Sequence, residues 1–322
     1  MDISVVIPVY NEEDSLHLLH EALHGALDNQ GFSWEAVLVD DGSKDNSLTV
    51  LEMLAAQDPE HIVVVTFRRN FGQTAAMSAG IDHALGEVIV LMDADMQNDP
   101  ADIPMMLAKM AEGYDVVSGW RENRQDNYAT RTFPSRIANA LISWVTGVHL
   151  HDYGCSLKAY RREVITGFRL YGEMHRFIPA FANSVGARIT EVPVRHHPRK
   201  FGQAKYGLER VGKVILDLFT VKFLTCYANK PIYLFGGTGL TMIGASVLLL
   251  IGLIVNRLVS HSSEAHLVRS PLLFMSMMLF ILGFQCILMG LIAEQLARTY
   301  HESQDKKAYK VRKVIRNNVR EA

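Results

Sequence analysis

The sequence predicts an α/β domain built on a largely parallel sheet, followed by two membrane-spanning helices. Three observations carry that prediction. Short apolar, β-branched runs recur at Ile3 to Val9, Ala36 to Val39, Ile62 to Thr66 and Val88 to Met92. Each run is followed by polar residues and then by helical spacing, the alternation that joins parallel strands through helices. Nearer the C-terminus, Ile232 to Val255 and Pro271 to Ala293 carry no charged residue.

At 322 residues the chain exceeds an average domain of about 150, so a domain with an appendix is expected. A formal net charge of -2 argues against nucleic acid as a partner, because phosphate recognition needs a basic stripe. The cysteines Cys155, Cys226 and Cys286 are widely spaced and form no CxxC pair. That spacing points to a reduced, cytosol-facing domain without a zinc or redox motif. Met1 to Ser4 run straight into the first strand without a basic, cleavable leader, so export is not expected.

In the first helix Leu16, Leu19, Leu23 and Leu27 share one face, while Glu12, Glu13 and Asp14 suit its N-terminal end. His17, His20 and His24 also fall near one face, and His196 and His197 are adjacent. With no cysteine or carboxylate fixed beside them, they read as solvent-facing rather than as metal ligands. In parallel sheets, ligands gather at the carboxyl ends of the strands, where Asn11, Asp40, Asp41, Arg69 and Asp93 are expected. No glycine-rich dinucleotide fingerprint occurs in the soluble part, since Gly236-Gly237-Thr238-Gly239 lies within a span. Nicotinamide and P-loop chemistry therefore lack support.

Asp93-Ala94-Asp95-Met96-Gln97 leaves an apolar strand with two carboxylates and an amide oxygen close together. Such a set suits Mg²⁺ or Mn²⁺, although a short acidic turn that caps a helix has the same sequence.

The two uncharged runs each reach roughly 30 Å or more as helices, enough to cross a hydrocarbon core. Of Lys and Arg, their joining loop carries only Arg257 and Arg269, whereas Lys213, Lys222, Lys230, Arg298, Lys306, Lys307, Lys310, Arg312 and Lys313 flank the pair. The positive-inside rule then puts both termini in the cytoplasm, with the protein multi-pass in the inner membrane. Ile137, Leu141 and Trp144, and separately Leu208, Val211, Ile215 and Leu218, form amphipathic stretches suited to the interface or to packing on the domain.

Val6-Ile7-Pro8-Val9-Tyr10-Asn11-Glu12, Val39-Asp40-Asp41-Gly42-Ser43 and Asp93-Ala94-Asp95-Met96-Gln97, in this order and spacing, resemble family 2 glycosyltransferases of the GT-A (Rossmann-like) fold. Arg121 to Gln125, Asp152-Tyr153-Gly154-Cys155 and the C-terminal spans extend the likeness to polyprenyl-phosphate glycosyltransferases over essentially the whole chain. The resemblance implies a GT-A catalytic domain at 1–206, a juxtamembrane amphipathic helix at 207–230, two transmembrane helices at 231–293 and a basic cytoplasmic tail at 294–322.

It further implies that Pro8, Tyr10, Glu12, Asp41 and Asp93 bind a nucleotide-sugar donor, and that Asp93, Asp95 and Gln97 hold a divalent metal, Mg²⁺ or Mn²⁺. Arg199 and Lys205 match a mobile Arg-Gly-Lys segment that helps the catalytic carboxylates neutralise the leaving group, although Ala204 replaces a hydroxyl common in relatives. Arg121, Arg131 and Ser135 match positions that hold the acceptor phosphate, with Arg124 and Arg136 as competitors. A lipid phosphate is already ionised near neutral pH, so Cys155, where some relatives have an acid, implies no compulsory carboxylate base.

The implied reaction is inverting transfer from a UDP-sugar to undecaprenyl phosphate, and the Asp126 and Asp152 regions look most like the branch that transfers 4-deoxy-4-formamido-L-arabinose. Glucosyl or mannosyl transfer is the alternative. A processive polysaccharide synthase fits less well, because Gln295-Leu296-Ala297-Arg298-Thr299 lacks the Trp of the acceptor-chain motif. A catalytically silent membrane scaffold conflicts with the intact acidic and basic motifs, and a homo-oligomer is compatible with the sequence.

Overall fold

The computed structural model describes residues 1–122, 133–166, 174–198, 230–259 and 270–303, with isolated positions between 218 and 227. It divides into two compact units, Met1–Lys222 and Phe223–Ala322. The first runs past the expected boundary at 206, because Leu218 and Val221 are buried with Ile142, Tyr153 and Phe177 in one apolar cluster.

The first unit carries a seven-stranded sheet in the order β3-β2-β1-β4-β6-β5-β7. The strands are β1 (Ile3–Val9), β2 (Trp34–Asp40), β3 (Ile62–Thr66), β4 (Val88–Leu91), β5 (Val116–Trp120), β6 (Lys158–Arg161) and β7 (Ile189–Pro193). The first four form the expected parallel block, with Ile3 paired to Trp34 and to Val88. β6 runs antiparallel between β4 and β5, and β7 is parallel to β5. The helices are α1 (Leu16–Leu27), α2 (Ser47–Gln57), α3 (Gln73–His83), α4 (Ile103–Ala111), α5 (Phe133–Thr146), α6 (Arg162–Ile165) and α7 (Ile178–Ser184).

β1 and β2 have apolar cores on both faces, which is why nearly every residue in them is apolar rather than alternating. Leu16, Leu19, Leu23 and Leu27 are all buried on one side with Val5, Ile7 and Leu38. Val6, Val37 and Val39 pack on the other side with Met77 and Ile81 of α3. In α5 the Leu141 and Trp144 side chains are exposed, the latter at 80%, while Ile142 is buried. The Leu141–Trp144 face is therefore free for an apolar environment, whereas Leu218 packs inward.

One expectation is corrected here. His20 and His24 do not face solvent freely; both are partly buried against Asp58, which caps the C-terminal end of α2.

The second unit is a hairpin of α8 (Ile232–Val259) and α9 (Pro271–Ser303). Both helices are long and apolar enough to cross a membrane, and only 11% of each most apolar window is buried, unlike a core helix of a soluble domain. The seam between them uses small residues at heptad spacing. A Cβ on Gly239 would stand 2.6 Å from the Gly283 carbonyl, and one on Gly283 would stand 2.7 Å from the Gly239 carbonyl. One heptad further, the Ser246 hydroxyl donates to the Ser276 carbonyl at 2.8 Å and the Ser276 hydroxyl returns to the Ser246 carbonyl at 3.1 Å. Close backbone approach and interhelical hydrogen bonds are what hold apolar helices together where burial from water supplies no drive.

Gly283→Leu is therefore expected to lower the thermal stability of the detergent-solubilised protein, by about 1–3 kcal/mol as an overpacking defect. Gly252→Leu, at a position with open space around it, should leave stability unchanged in the same melting experiment.

Candidate active site

The carboxyl ends of β1, β2 and β4 open into one cavity of about 290 Å³ lined by Pro8, Tyr10, Glu12, Asp41, Asp93 and Asp95, together with Asn70 and Gln73. The donor-site expectations thus fall together in space, although they come from separate strand ends. Their positions are held by loop-to-loop hydrogen bonds. Asn11 takes a left-handed φ of 54°, a conformation its short amide tolerates. Its N–H donates to Ser43 Oγ at 3.0 Å, and its own Oδ1 accepts the Lys44 N–H at 2.8 Å. The Glu12 N–H donates to Ser47 Oγ at 2.8 Å, so the loop after β1 is stapled to the loop after β2.

Asp41 draws the loop after β3 into the same wall. Its Oδ1 accepts the Phe71 N–H at 2.6 Å and its Oδ2 the Gly72 N–H at 2.9 Å. Burial raises the Asp41 carboxyl above its ordinary pKa; the two N–H bonds oppose that rise and Asp40 adds to it. Gly42 is required here twice over: its φ is +68°, and a Cβ would lie 2.5 Å from the backbone of Arg69. The Asp-Asp-Gly-Ser segment is therefore both a turn and a clamp on the loop that precedes α3.

Asp93 and Asp95 leave β4 through a tight turn in which Met96 has φ 58°. Asp93 Oδ1 accepts the Gln73 amide at 2.7 Å, and Asp95 Oδ1 accepts the Gln97 N–H at 3.2 Å. Gln97 itself is not among the cavity-lining residues. Burial first, and then the neighbouring Asp95, push Asp93 up to about 6, against the pull of Ser156, Arg121 and Gln73. Two oxygen-rich acids in one partly buried turn, one of them unfavourably charged, fit a hard divalent cation, whose charge reverses that penalty.

A second chamber of about 150 Å³ shares Gln73 and Asp93 with the first and continues to Ser156, Lys158, His175 and Arg176. Lys158 is buried and donates to the Tyr153 carbonyl at 3.0 Å; burial lowers its pKa. The buried Arg176 Nε has no hydrogen-bond partner among the described residues. Arg121, expected at the acceptor phosphate, grips buried Asp152 with two N–H groups, Nε to Oδ2 at 2.7 Å and Nη2 to Oδ1 at 3.1 Å. Cys155 is buried, and its thiol is pushed up to about 11 by burial and Asp152, so it is neutral near pH 7 and serves as neither base nor nucleophile.

Arg131, Arg199 and Lys205, with Arg124 and Asp126, lie outside the described residues, as do the side chains of Ser135, Arg136 and Ile137 and all of Leu208, Val211, Ile215 and the tail from 304. Sequence reasoning gave no role to Gln73, His175 and Arg176, which lie outside the quoted motifs, nor to Lys158, which lies in the run after Asp152; they meet Asp93 only in the folded chain.

The family model described as glycosyl transferase family 2 matches residues 4–168. A dodecaprenyl-phosphate galacturonate synthase of Rhizobium johnstonii is 41% identical over 98% of this chain and 93% of its own length. An undecaprenyl-phosphate 4-deoxy-4-formamido-L-arabinose transferase of Pseudomonas fluorescens is 39% identical over 98% of this chain and 90% of its own. Among solved structures, glucosyl-3-phosphoglycerate synthase from Mycobacterium tuberculosis in complex with Mg²⁺ and UDP shares the fold, with a TM-score of 0.52, 18% identity and coverage of 70% of this chain and 79% of that one.

Asp93→Asn keeps an acceptor for Gln73 while removing the like charge. In metal-free protein it is expected to raise stability by on the order of 1 kcal/mol above about pH 6. The raised Asp93 pKa makes the wild type lose stability as pH rises from its unfolded value of 3.8 through about 6, so the gain should fade as pH falls toward 3.8 in melting curves across that range.

Proposed function

The chain belongs to glycosyl transferase family 2, and from that premise we propose that it transfers a sugar from a UDP-linked donor to undecaprenyl phosphate at the cytoplasmic face of the inner membrane. The convergence of Pro8, Tyr10, Glu12, Asp41, Asp93 and Asp95 on one cavity carries this reading. Two relatives named for different sugars, galacturonate and 4-deoxy-4-formamido-L-arabinose, both act at a polyprenyl phosphate, which supports the acceptor more firmly than the sugar.

In this reading the nucleoside lies against Pro8, Tyr10 and Glu12, and Asp41, whose oxygens each retain acceptor capacity beyond their N–H bond, meets the base or ribose. Asp93 and Asp95 hold Mg²⁺ or Mn²⁺, with Gln97 at the end of the same turn. The cation, when bound, neutralises charge on the leaving diphosphate. Arg199 and Lys205 add positive charge from their own segment. Arg121, Arg131 and Ser135 orient the acceptor, with the Arg121 guanidinium held in place by Asp152.

An ionised oxygen of the acceptor phosphate attacks the anomeric carbon as the bond to the donor's diphosphate oxygen breaks, so configuration inverts. No protein base is needed, since the nucleophile carries no proton. The exposed Leu141 and Trp144 face of α5 meets the membrane interface, α8 and α9 span the bilayer, and basic flanks keep both termini cytoplasmic.

By resemblance the donor sugar is 4-deoxy-4-formamido-L-arabinose. One observation favours a second reading: Arg176 Nε, buried and without a hydrogen-bond partner among the described residues, stands beside Lys158 and His175 in the second chamber, a setting that suits a carboxylate-bearing sugar such as a uronate.

A panel of UDP-4-deoxy-4-formamido-L-arabinose, UDP-galacturonate, UDP-glucose and GDP-mannose with undecaprenyl phosphate and Mg²⁺ or Mn²⁺ tests both. One UDP donor is expected to give a lipid-linked product, at least about 100-fold slower in Asp95→Ala. Product from none of the donors contradicts the transferase reading. Arg176→Ala should cut transfer of a uronate and spare a neutral sugar; equal loss for both rejects the uronate reading.

A further inference from the structure

At the edge of the sheet opposite the cavity, where the strands begin, α1 and the end of α2 bring histidines and a carboxylate together. Trp34 opens β2 and His61 precedes β3, so both mark the amino ends of the strands. Here His20 Nε2, His24 Nε2 and Asp58 Oδ2 form a triangle. Its sides are 3.2 Å between the two nitrogens, 2.9 Å from His24 to Asp58 and 3.3 Å from His20 to Asp58.

We propose that His20, His24 and Asp58 form a transition-metal site, suited above all to Zn²⁺, that ties α1 to the end of α2. The proposal is independent of the transferase reading. Bonds of about 2.0–2.2 Å in a tetrahedral zinc site put neighbouring ligand atoms roughly 3.3–3.6 Å apart, close to the observed sides. Protons explain the triangle less well, because each N–H lies along only one side at a time. Two imidazoles and one carboxylate favour zinc and its neighbours in the first transition row over Mg²⁺ or Ca²⁺.

The surrounding groups present the right atoms. His24 Nδ1 meets Asp28 Oδ2 at 2.8 Å, a carboxylate partner that can hold the ring proton on Nδ1 when Nε2 binds a metal. Trp34 Nε1 donates to the other oxygen of Asp28 at 3.2 Å. His61 Nδ1 meets Asp58 Oδ1 at 2.9 Å, leaving Oδ2 as the ligand atom, and its ring stacks on Trp34 with centroids 4.3 Å apart. The side chains of His20, His24 and Asp58 are 20%, 27% and 14% exposed, enough to admit an ion and to leave a fourth position for water.

The test uses the full-length protein in detergent with Asp93→Asn as the background, so that zinc bound at the catalytic carboxylates does not confuse the count. After loading with Zn²⁺ and dialysis, elemental analysis should find one equivalent of zinc. Co²⁺ in its place should give the intense visible bands of a tetrahedral ion. His24→Gln and, separately, Asp58→Asn should lose the metal and the bands, while His61→Gln should weaken binding about 10-fold or more. Circular dichroism on the metal-free variants verifies that they fold. Absence of retained zinc in the parent, or zinc content and Co²⁺ bands unchanged in folded His24→Gln and Asp58→Asn, overturns the proposal.

Discussion

Two carboxylates that leave β4 within one short turn, Asp93 and Asp95, repel one another inside a partly closed cavity, and burial with that repulsion lifts Asp93 to about 6. An isolated pair of this kind costs stability that a protein of marginal stability does not keep without return. The return here is a fixed negative pole facing the place where strands β1 and β2 also end. The parallel block supplies the alignment: Val6 pairs with both Val37 and Leu91, so three loops emerge at one level.

The loops then hold one another. Asn11 and Ser43, Glu12 and Ser47, and Asp41 with the Phe71 and Gly72 N–H groups join the segments after β1, β2 and β3 into one wall. Gln73, the first residue of α3, closes the circuit by donating to Asp93. These bonds satisfy backbone N–H groups of the loops and tie the loops to one another. The other side of the site is built differently, from the antiparallel β6 and the Arg121–Asp152 pair, and it contributes cations where the first side contributes anions.

What was legible in the sequence was local. The period of Leu16, Leu19, Leu23 and Leu27, the β-branched strands and the acidic turn at Asp93 are patterns within a few residues, and the fold class followed from them. The uncharged spans were legible for the same reason, though the glycine and serine seam between them was not, since only pairing of two helices gives Gly239 and Gly283 their meaning. The antiparallel placement of β6 and the bond from Arg121 to Asp152 depend on partners far along the chain. The histidines show the limit most clearly: His20 and His24 looked solvent-facing because their carboxylate, Asp58, comes from the end of another helix.

The proposed role of the Asp93 and Asp95 pair, to receive a cation together with a nucleoside diphosphate, requires that the two ligands bind cooperatively. Titration calorimetry of UDP into the full-length protein, once with Mn²⁺ and once with EDTA, measures that coupling. If the pair has that role, UDP binds at least about 10-fold more tightly with Mn²⁺, and UDP tightens Mn²⁺ binding by the same factor, as linkage requires. Equal UDP affinity in both titrations would contradict it.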